Sequence, residues 1–428
     1  MPNMTNKFFA GLFLFLSAGL FAQGGSSSPY SFYGIGEIVA GGTADARAMG
    51  GIGVVSDSIH INLLNPAGYS VLRRTSLGVG AMHSRLLLTT NTDKDRATST
   101  NLNYLAVAVP YKKWGFGFGV MPYSSVGYRI ASRTVSAIDS DEFDVRQYSG
   151  TGGVNRVFFA ASYALNSHLN VGLQYDFNFG QIENISLESQ YGVQLAKREN
   201  VNSDLQGNSL TAGVHFKKQF AKKYDFYLSG VYALETKLRH TAERSVSTVS
   251  ISTGGGQTVV DTEELESGAL ETVRLPSRLT FGAGFGRARK WLLAAEASLT
   301  SAGSGGRFDI TDVSGDPIVT YNKVARYSLG GYFIPRYDAY KGYFKRIVYR
   351  AGLRYEDTGL EIEGHKIEDM AFTFGFGLPM RGTFTNLNLG FELGHRGTKA
   401  GNLIHENYTK VTLAFSFSDL WFIKPKYD

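Results

Sequence analysis

The 428-residue sequence contains no cysteine. That excludes a disulfide scaffold, a thiolate metal site, a cysteine nucleophile and an acylated N-terminal cysteine. Beyond the first apolar core, no window holds eighteen apolar residues in a row, so no transmembrane helix is expected. The net charge of +6 is spread over short turns and loops, and no Lys/Arg cluster is dense enough to point to nucleic acid. The eight histidines form neither HExxH nor H-x₃-H, so neither a metal nor another cofactor is expected. A G-x-S-x-G elbow is missing too, and the chain reads as a non-enzyme. Gly150-Thr151-Gly152-Gly153 lacks the Lys-Ser/Thr of a phosphate loop and marks a bend where loop turns into strand.

What the sequence does contain begins with an export signal. Lys7 precedes an apolar core from Phe8 to Phe21, and Leu20-Phe21-Ala22 supplies a small residue before Gln23. Residues 1–22 therefore read as a secretory signal peptide. From about Thr75 onward the pattern has period two. In 386–393, Leu387, Leu389, Phe391 and Leu393 alternate with Asn386, Asn388, Gly390 and Glu392. Val171, Leu173, Tyr175, Phe177 and Phe179 alternate with Gly172, Gln174, Asp176, Asn178 and Gly180 in the same way. Successive strand side chains point to opposite faces, so each segment has one apolar and one polar surface.

Turn lengths decide between a soluble sandwich and a membrane barrel. Strands are expected near 75–90, 100–110, 113–122, 154–165, 168–190, 208–219, 223–243, 273–287, 290–301, 323–334, 346–358, 366–379, 384–397 and 406–418. That is roughly fourteen, an even number, as in closed bacterial outer-membrane barrels. Connections such as Tyr111-Lys112, Asn166-Ser167 and Arg381-Gly382-Thr383 are brief, whereas 123–153, 191–207, 244–272 and 302–322 are long. Short turns inside the cell envelope and long loops outside are the outer-membrane arrangement. The link from Pro335 to Lys345 breaks the rule and carries Tyr337, Tyr340, Tyr343 and Phe344, as an interfacial aromatic girdle would. Outward faces carry almost no charge through the strand centres, as a lipid-facing wall requires. The fold expected is all-β, a transmembrane antiparallel barrel of about fourteen strands.

One stretch does not alternate. In Ala44–Ser70, Gly50, Gly51 and Gly53 interrupt both helix and strand preference, and Asn65-Pro66 forces a turn. Arg47-Ala48-Met49-Gly50-Gly51 followed by Asn65-Pro66-Ala67 resembles the hatch of the FadL outer-membrane family. Trp114–Val120 with Met121-Pro122-Tyr123, and Leu275-Pro276 before Leu279–Gly282, are similar to strands of that family. The resemblance implies an N-terminal hatch or plug at 23–73 inside a barrel at 74–418, followed by a periplasmic tail at 419–428. It also implies gating at Asn65, Pro66 and Ala67, and passive uptake of hydrophobic small molecules such as long-chain fatty acids. Outer-membrane lipids would surround such a barrel in a double-membraned bacterium.

Polar-face charges supply a second set of candidates. Asp176, Glu296, Arg350, Arg354, Glu356, Glu392 and Lys410 fall on the inward parity of their strands, and mixed signs on neighbouring strands could pair across the lumen. Apolar Met49, Ile52, Val54, Leu63 and Leu64 could line a ligand pocket or form the hatch's own core. A charged lumen suits a greasy ligand poorly. The alternative function is therefore a non-transporting barrel of the same family, a structural subunit of an outer-membrane assembly or secretion complex with other outer-membrane or periplasmic proteins as partners. The amphipathic strand Tyr408–Phe417 resembles an assembly signal, but Asp419-Leu420-Trp421-Phe422 follow it.

Overall fold

The computed structural model describes residues 26–135, 143–221, 223–252, 256–269, 272–302, 319–339, 341–380 and 385–419. The leader at 1–22, Tyr340, the turn at 381–383 and the tail from Leu420 lie outside them. Strand segments run in the order β1 (Glu37–Ile38), β2 (Thr75–Thr89), β3 (Lys94–Tyr111), β4 (Trp114–Pro122), β5 (Ser124–Val135), β6 (Phe143–Ala164) and β7 (Leu169–Ser189). They continue with β8 (Leu195–Phe220), β9 (Tyr224–Ala233), β10 (Thr236–Ile251), β11 (Gln257–Ala269), β12 (Val273–Leu275) and β13 (Arg278–Arg287). The last are β14 (Trp291–Thr300), β15 (Val319–Tyr321), β16 (Val324–Phe333), β17 (Val348–Ile362), β18 (His365–Pro379), β19 (Asn386–Arg396) and β20 (His405–Asp419).

Antiparallel pairing runs β2-β3-β4-β6-β7-β8-β9-β13-β14-β16-β17-β18-β19-β20 and returns to β2 along Thr75↔Asp419 to Thr89↔His405. The result is a closed barrel of fourteen strands, the number the alternation predicts. Closure removes the free edges that hydrocarbon cannot tolerate. The wall is nevertheless uneven. β13, β14 and β16 are 10 residues long, enough to cross a bilayer at a tilt, whereas β8 has 26.

Three of the expected loops prove to be largely strand. Residues 123–153, 191–207 and 244–272 form β5 with the start of β6, the start of β8, and the β10–β11 hairpin. Together with β7 these five segments pair in the order β5-β6-β7-β8-β10-β11, a sheet that continues the barrel beyond the short strands on one side. In LAKRENVNSDLQ (195–206) most residues are polar and only Ala196, Ser203 and Leu205 are buried, so the apolar alternation that marks a lipid-facing strand fades there.

The third barrel strand is broken. β4 and β5 both pair with β6, to either side of Tyr123. Opposite the break, Gly152 and Gly153 hold φ of 112° and 143°, and a Cβ on Gly153 would meet the Ser124 carbonyl oxygen at 2.4 Å. Only glycine fits that backbone crossing.

Residues 26–74 pass inside the ring. They touch β4 and β7, β13, β17 and β20, strands so far apart around the circumference that only the lumen reaches them all. The apolar positions of this stretch pack on the wall. Ile52 and Val54 join Tyr227, Leu292 and Ala294, while Leu63 and Tyr69 join Tyr104, Phe158 and Ala160.

Candidate functional site: the interior of the barrel

Asn65 is extended (φ −134°, ψ 113°), as a residue before proline must be, and Pro66 opens a 3-10 helix, Pro66–Val71. The Asn65 Oδ1 accepts from the Ala67 N–H at 3.0 Å and caps that helix. Its Nδ2 donates to the Val214 carbonyl of β8 at 3.1 Å. The turn is pressed against bare backbone. A Cβ on Gly172 would lie 2.4 Å from the Pro66 carbonyl carbon, one on Gly213 2.3 Å from the Asn65 Oδ1, and one on Gly115 2.2 Å from the Tyr69 carbonyl carbon. Asn65, Pro66 and Ala67 are thus buried at the wall of β4, β7 and β8 rather than lining an open path.

On the opposite side the same segment meets charge. Arg47, which ends a short helix (Ala44–Arg47), reaches the Glu392 carboxylate at 3.4 Å. Glu392 is held by Arg354 at 2.8 Å, and Arg354 also reaches Asp369 at 2.9 Å. Arg396 links Asp369 (3.0 Å) to Glu37 of β1 (2.9 Å), and Lys410 joins Glu37 at 3.6 Å. Glu406 completes the set, 4.0 Å from Arg396 and hydrogen-bonded to the Ser28 hydroxyl. Tyr408 donates its hydroxyl to Asp369 at 2.8 Å. Asp369, Arg396 and Glu406 stand opposite one another across β18, β19 and β20, as do Glu392 and Lys410. Four cations (Arg47, Arg354, Arg396, Lys410) alternate with four carboxylates (Glu37, Asp369, Glu392, Glu406), so the ladder is neutral. Burial alone would raise the Glu37 carboxyl, but Arg396 and Lys410 outweigh it and hold the group well below its ordinary range.

The ladder brings together three of the seven charged candidates, Arg354, Glu392 and Lys410. Glu356 pairs beside it with Arg326 at 2.7 Å. The other three stand apart. Glu296 accepts the Gly53 N–H at 2.8 Å, Arg350 donates to Asn388 at 3.2 Å, and Asp176 lies 3.7 Å from Arg156 on the far wall. Sequence reasoning passed over Asp369, Arg396 and Glu406, although each shares the inward parity of its strand. Glu37 and Arg47 carry no strand period and gave no such signal.

Between the ladder and the wall remains a cavity of about 70 Å³, lined by Glu37, Arg47, Arg354, Arg396, Glu406 and Lys410 among others. The Nε atoms of Arg47 and Arg354 have no protein partner, which suits a site for a few waters. Near the inner rim, where strands β2 and β19 begin and β20 ends, His60 Nδ1 lies 2.6 Å from the Asp57 carboxylate, and His60 Nε2 lies 3.4 Å from Asn386. Burial works against the charged imidazole, but the carboxylates of Asp57 and Asp45 raise His60 above its ordinary value of 6.5.

The model of the family described as BamG matches residues 4–428. Among curated proteins, none matches the sequence. Solved structures similar in fold include the Pseudomonas putida toluene transporter TodX (16% identity, 89% of this chain and 98% of that one, TM-score 0.59). The Ralstonia pickettii toluene transporter TbuX is similar at 15% identity over 89% and 98% of the two chains, with a TM-score of 0.58. A Pseudomonas aeruginosa FadL homologue shows 9% identity over the same shares, with a TM-score of 0.56. The fold is therefore that of outer-membrane channels.

Proposed function

The chain belongs to the BamG family, and from that premise we propose that it is a non-transporting barrel, a structural subunit of a protein assembly in the outer membrane. In this reading residues 1–22 export the chain and 23–73 act as a fixed plug. The observation that carries it is the neutral charge ladder joining Arg47 and Glu37 of the plug to β17–β20. A site for a drug-sized hydrophobic ligand needs an apolar pocket of roughly 300 Å³ or more. The space beside the ladder is about 70 Å³ and lined by charge. Removing one partner of a buried pair costs about 3–5 kcal/mol, so a passing cargo would have to disrupt several such contacts at once. Docking surface is available at the inner rim, where Phe344 is 74% exposed and Tyr337 48% in the link between β16 and β17. The test is extraction of the protein from native membranes in mild detergent. Recovery with a stoichiometric partner protein supports the subunit reading, and recovery as a lone barrel contradicts it.

A second reading is favoured by the fold shared with hydrocarbon channels and by the break in the third strand. Hydrophobic small molecules such as long-chain fatty acids would enter passively and leave when Asn65, Pro66 and Ala67 shift. Labelled fatty-acid uptake in a deletion strain, compared with one carrying Asn65→Ala, tests it. Unchanged uptake in both removes the channel reading.

A further inference from the structure

In the folded chain the excess of Lys and Arg is concentrated in one sector of the inner rim. The β8–β9 turn, the β13–β14 turn and the β16–β17 link follow one another there, because β9 pairs with β13 and β14 with β16. Lys218 and Lys223 are exposed at the first, and Arg287, Arg289 and Lys290 at the second. Arg336, Lys341 and Lys345 are exposed on the link. Among the described residues of these three connections the carboxylates are Asp225, buried and 3.1 Å from Lys217, and Asp338. The neighbouring turn between β6 and β7, from Leu165 to His168, carries neither Lys nor Arg.

The link differs from the two turns beside it in build as well as in length. Residues 221–223 and 288–290 suffice to join their strands, whereas the link runs from 334 to 347. It folds on itself. The Arg336 N–H donates to the Lys345 carbonyl at 2.8 Å, a 3-10 turn spans Tyr343–Lys345, and Ile334 and Ile347 are buried. Arg289 of the neighbouring turn lies over the Tyr337 ring at 4.9 Å, and Arg346 over Tyr343 at 5.6 Å, so guanidinium and ring hold each other in place. Outward of the wall, Tyr224, Phe285 and Trp291 form an aromatic cluster, as at a membrane interface. Trp291, Phe333 and Tyr349 stand opposite one another at the same level across β14, β16 and β17. The link leaves after Phe333 and returns before Val348, on the periplasmic side of that belt, and there presents Phe344 and Tyr337.

We propose that this sector is the docking site for an acidic periplasmic segment of another protein. Its Asp and Glu side chains lie against the three basic connections, and an apolar side chain packs on Phe344 and Tyr337. Arg and aromatic side chains set side by side are the material of protein interfaces, and opposite charge decides which partner docks. Headgroup phosphates need only cations at the strand ends, not a folded link projecting past them. The proposal rests on the subunit reading and names the face of the barrel and the charge of the partner.

A photoreactive phenylalanine analogue placed at Phe344, at Tyr337 and, as control, at exposed Leu173 on the wall tests it in native membranes. The expected result is a cross-link from Phe344 and Tyr337 to an Asp/Glu-rich periplasmic segment of one protein, absent from Leu173. The Lys290→Glu, Lys341→Glu, Lys345→Glu triple variant lowers its yield about tenfold. Lys112→Glu with Lys113→Glu, on the β3–β4 turn, leaves it unchanged, and heat-modifiable mobility verifies that each barrel has assembled. Raised salt lowers the yield in the wild type as well, which reads the same charge dependence without any substitution. A yield that neither salt nor the triple variant alters overturns the proposal. So do cross-links to phospholipid only, to a second copy of this chain, to a segment without acidic residues, or to no protein. A stoichiometric partner that cross-links only from other faces overturns it while leaving the subunit reading intact. The lack of any co-purifying partner removes both.

Discussion

Where β4, β7 and β8 face the N-terminal segment, contact is backbone to backbone, with Pro66 and Tyr69 seated on Gly172 and Gly115. Where β17 to β20 face it, contact is charge to charge, through Arg47, Glu37 and the ladder. The first grip depends on shape and is indifferent to pH and salt. The second depends on matched burial of opposite charges, so loss of a single member leaves an uncompensated partner.

The largest effect is expected on the charged side. Arg354→Ala strips Asp369 and Glu392 of a shared cation and should destabilise the folded barrel by about 3–5 kcal/mol, measured by urea unfolding in detergent. On the other side, Gly172→Val forces the Pro66 backbone away and should cost about 1–3 kcal/mol, with increased protease cleavage within 26–74 as the readout. Equal loss from both variants at every pH would erase the distinction between the two grips. Asn65→Ala removes the cap on Ala67 and the donor to Val214, and should cost about 1–2 kcal/mol in the same unfolding assay.

The smallest effect is that of pH, and its sign differs between the two titrating groups. The Glu37 carboxyl is depressed, so its contribution is present above its ordinary value of 4.5 and falls away as pH drops toward the folded value. His60 is raised, so its contribution is complete below 6.5 and is lost as pH rises through the folded value. Proteolysis of 26–74 should thus increase modestly at both extremes in the wild type. In a His60→Gln variant the increase should persist only at the acid end. A flat profile in the wild type would show that the charges do not hold the segment.

The barrel was legible because lipid on one side and a polar lumen on the other impose period two, as in Leu387–Leu393 and Val171–Phe179. Strand length was not, since beyond the ring the outward face of β8 and β10 and both faces of β11 at 257–265 are polar or exposed, and only scattered positions such as Ala196, Leu205 and Val249 are buried. Within the lumen, parity marks a residue as inward but not whom it meets. Arg350 and Asp176 share parity with Arg354 and Glu392, yet the first meets Asn388 and the second lies near Arg156. Glu37 and Arg47 join the ladder through a segment whose path no periodicity encodes.

The central claim is that the N-terminal segment shuts the lumen as a fixed part of the wall. Ion conductance of the purified protein in a planar bilayer tests it most directly. The account predicts no current from the wild type and channel openings in Arg354→Ala. A steady current through the wild-type barrel would contradict it.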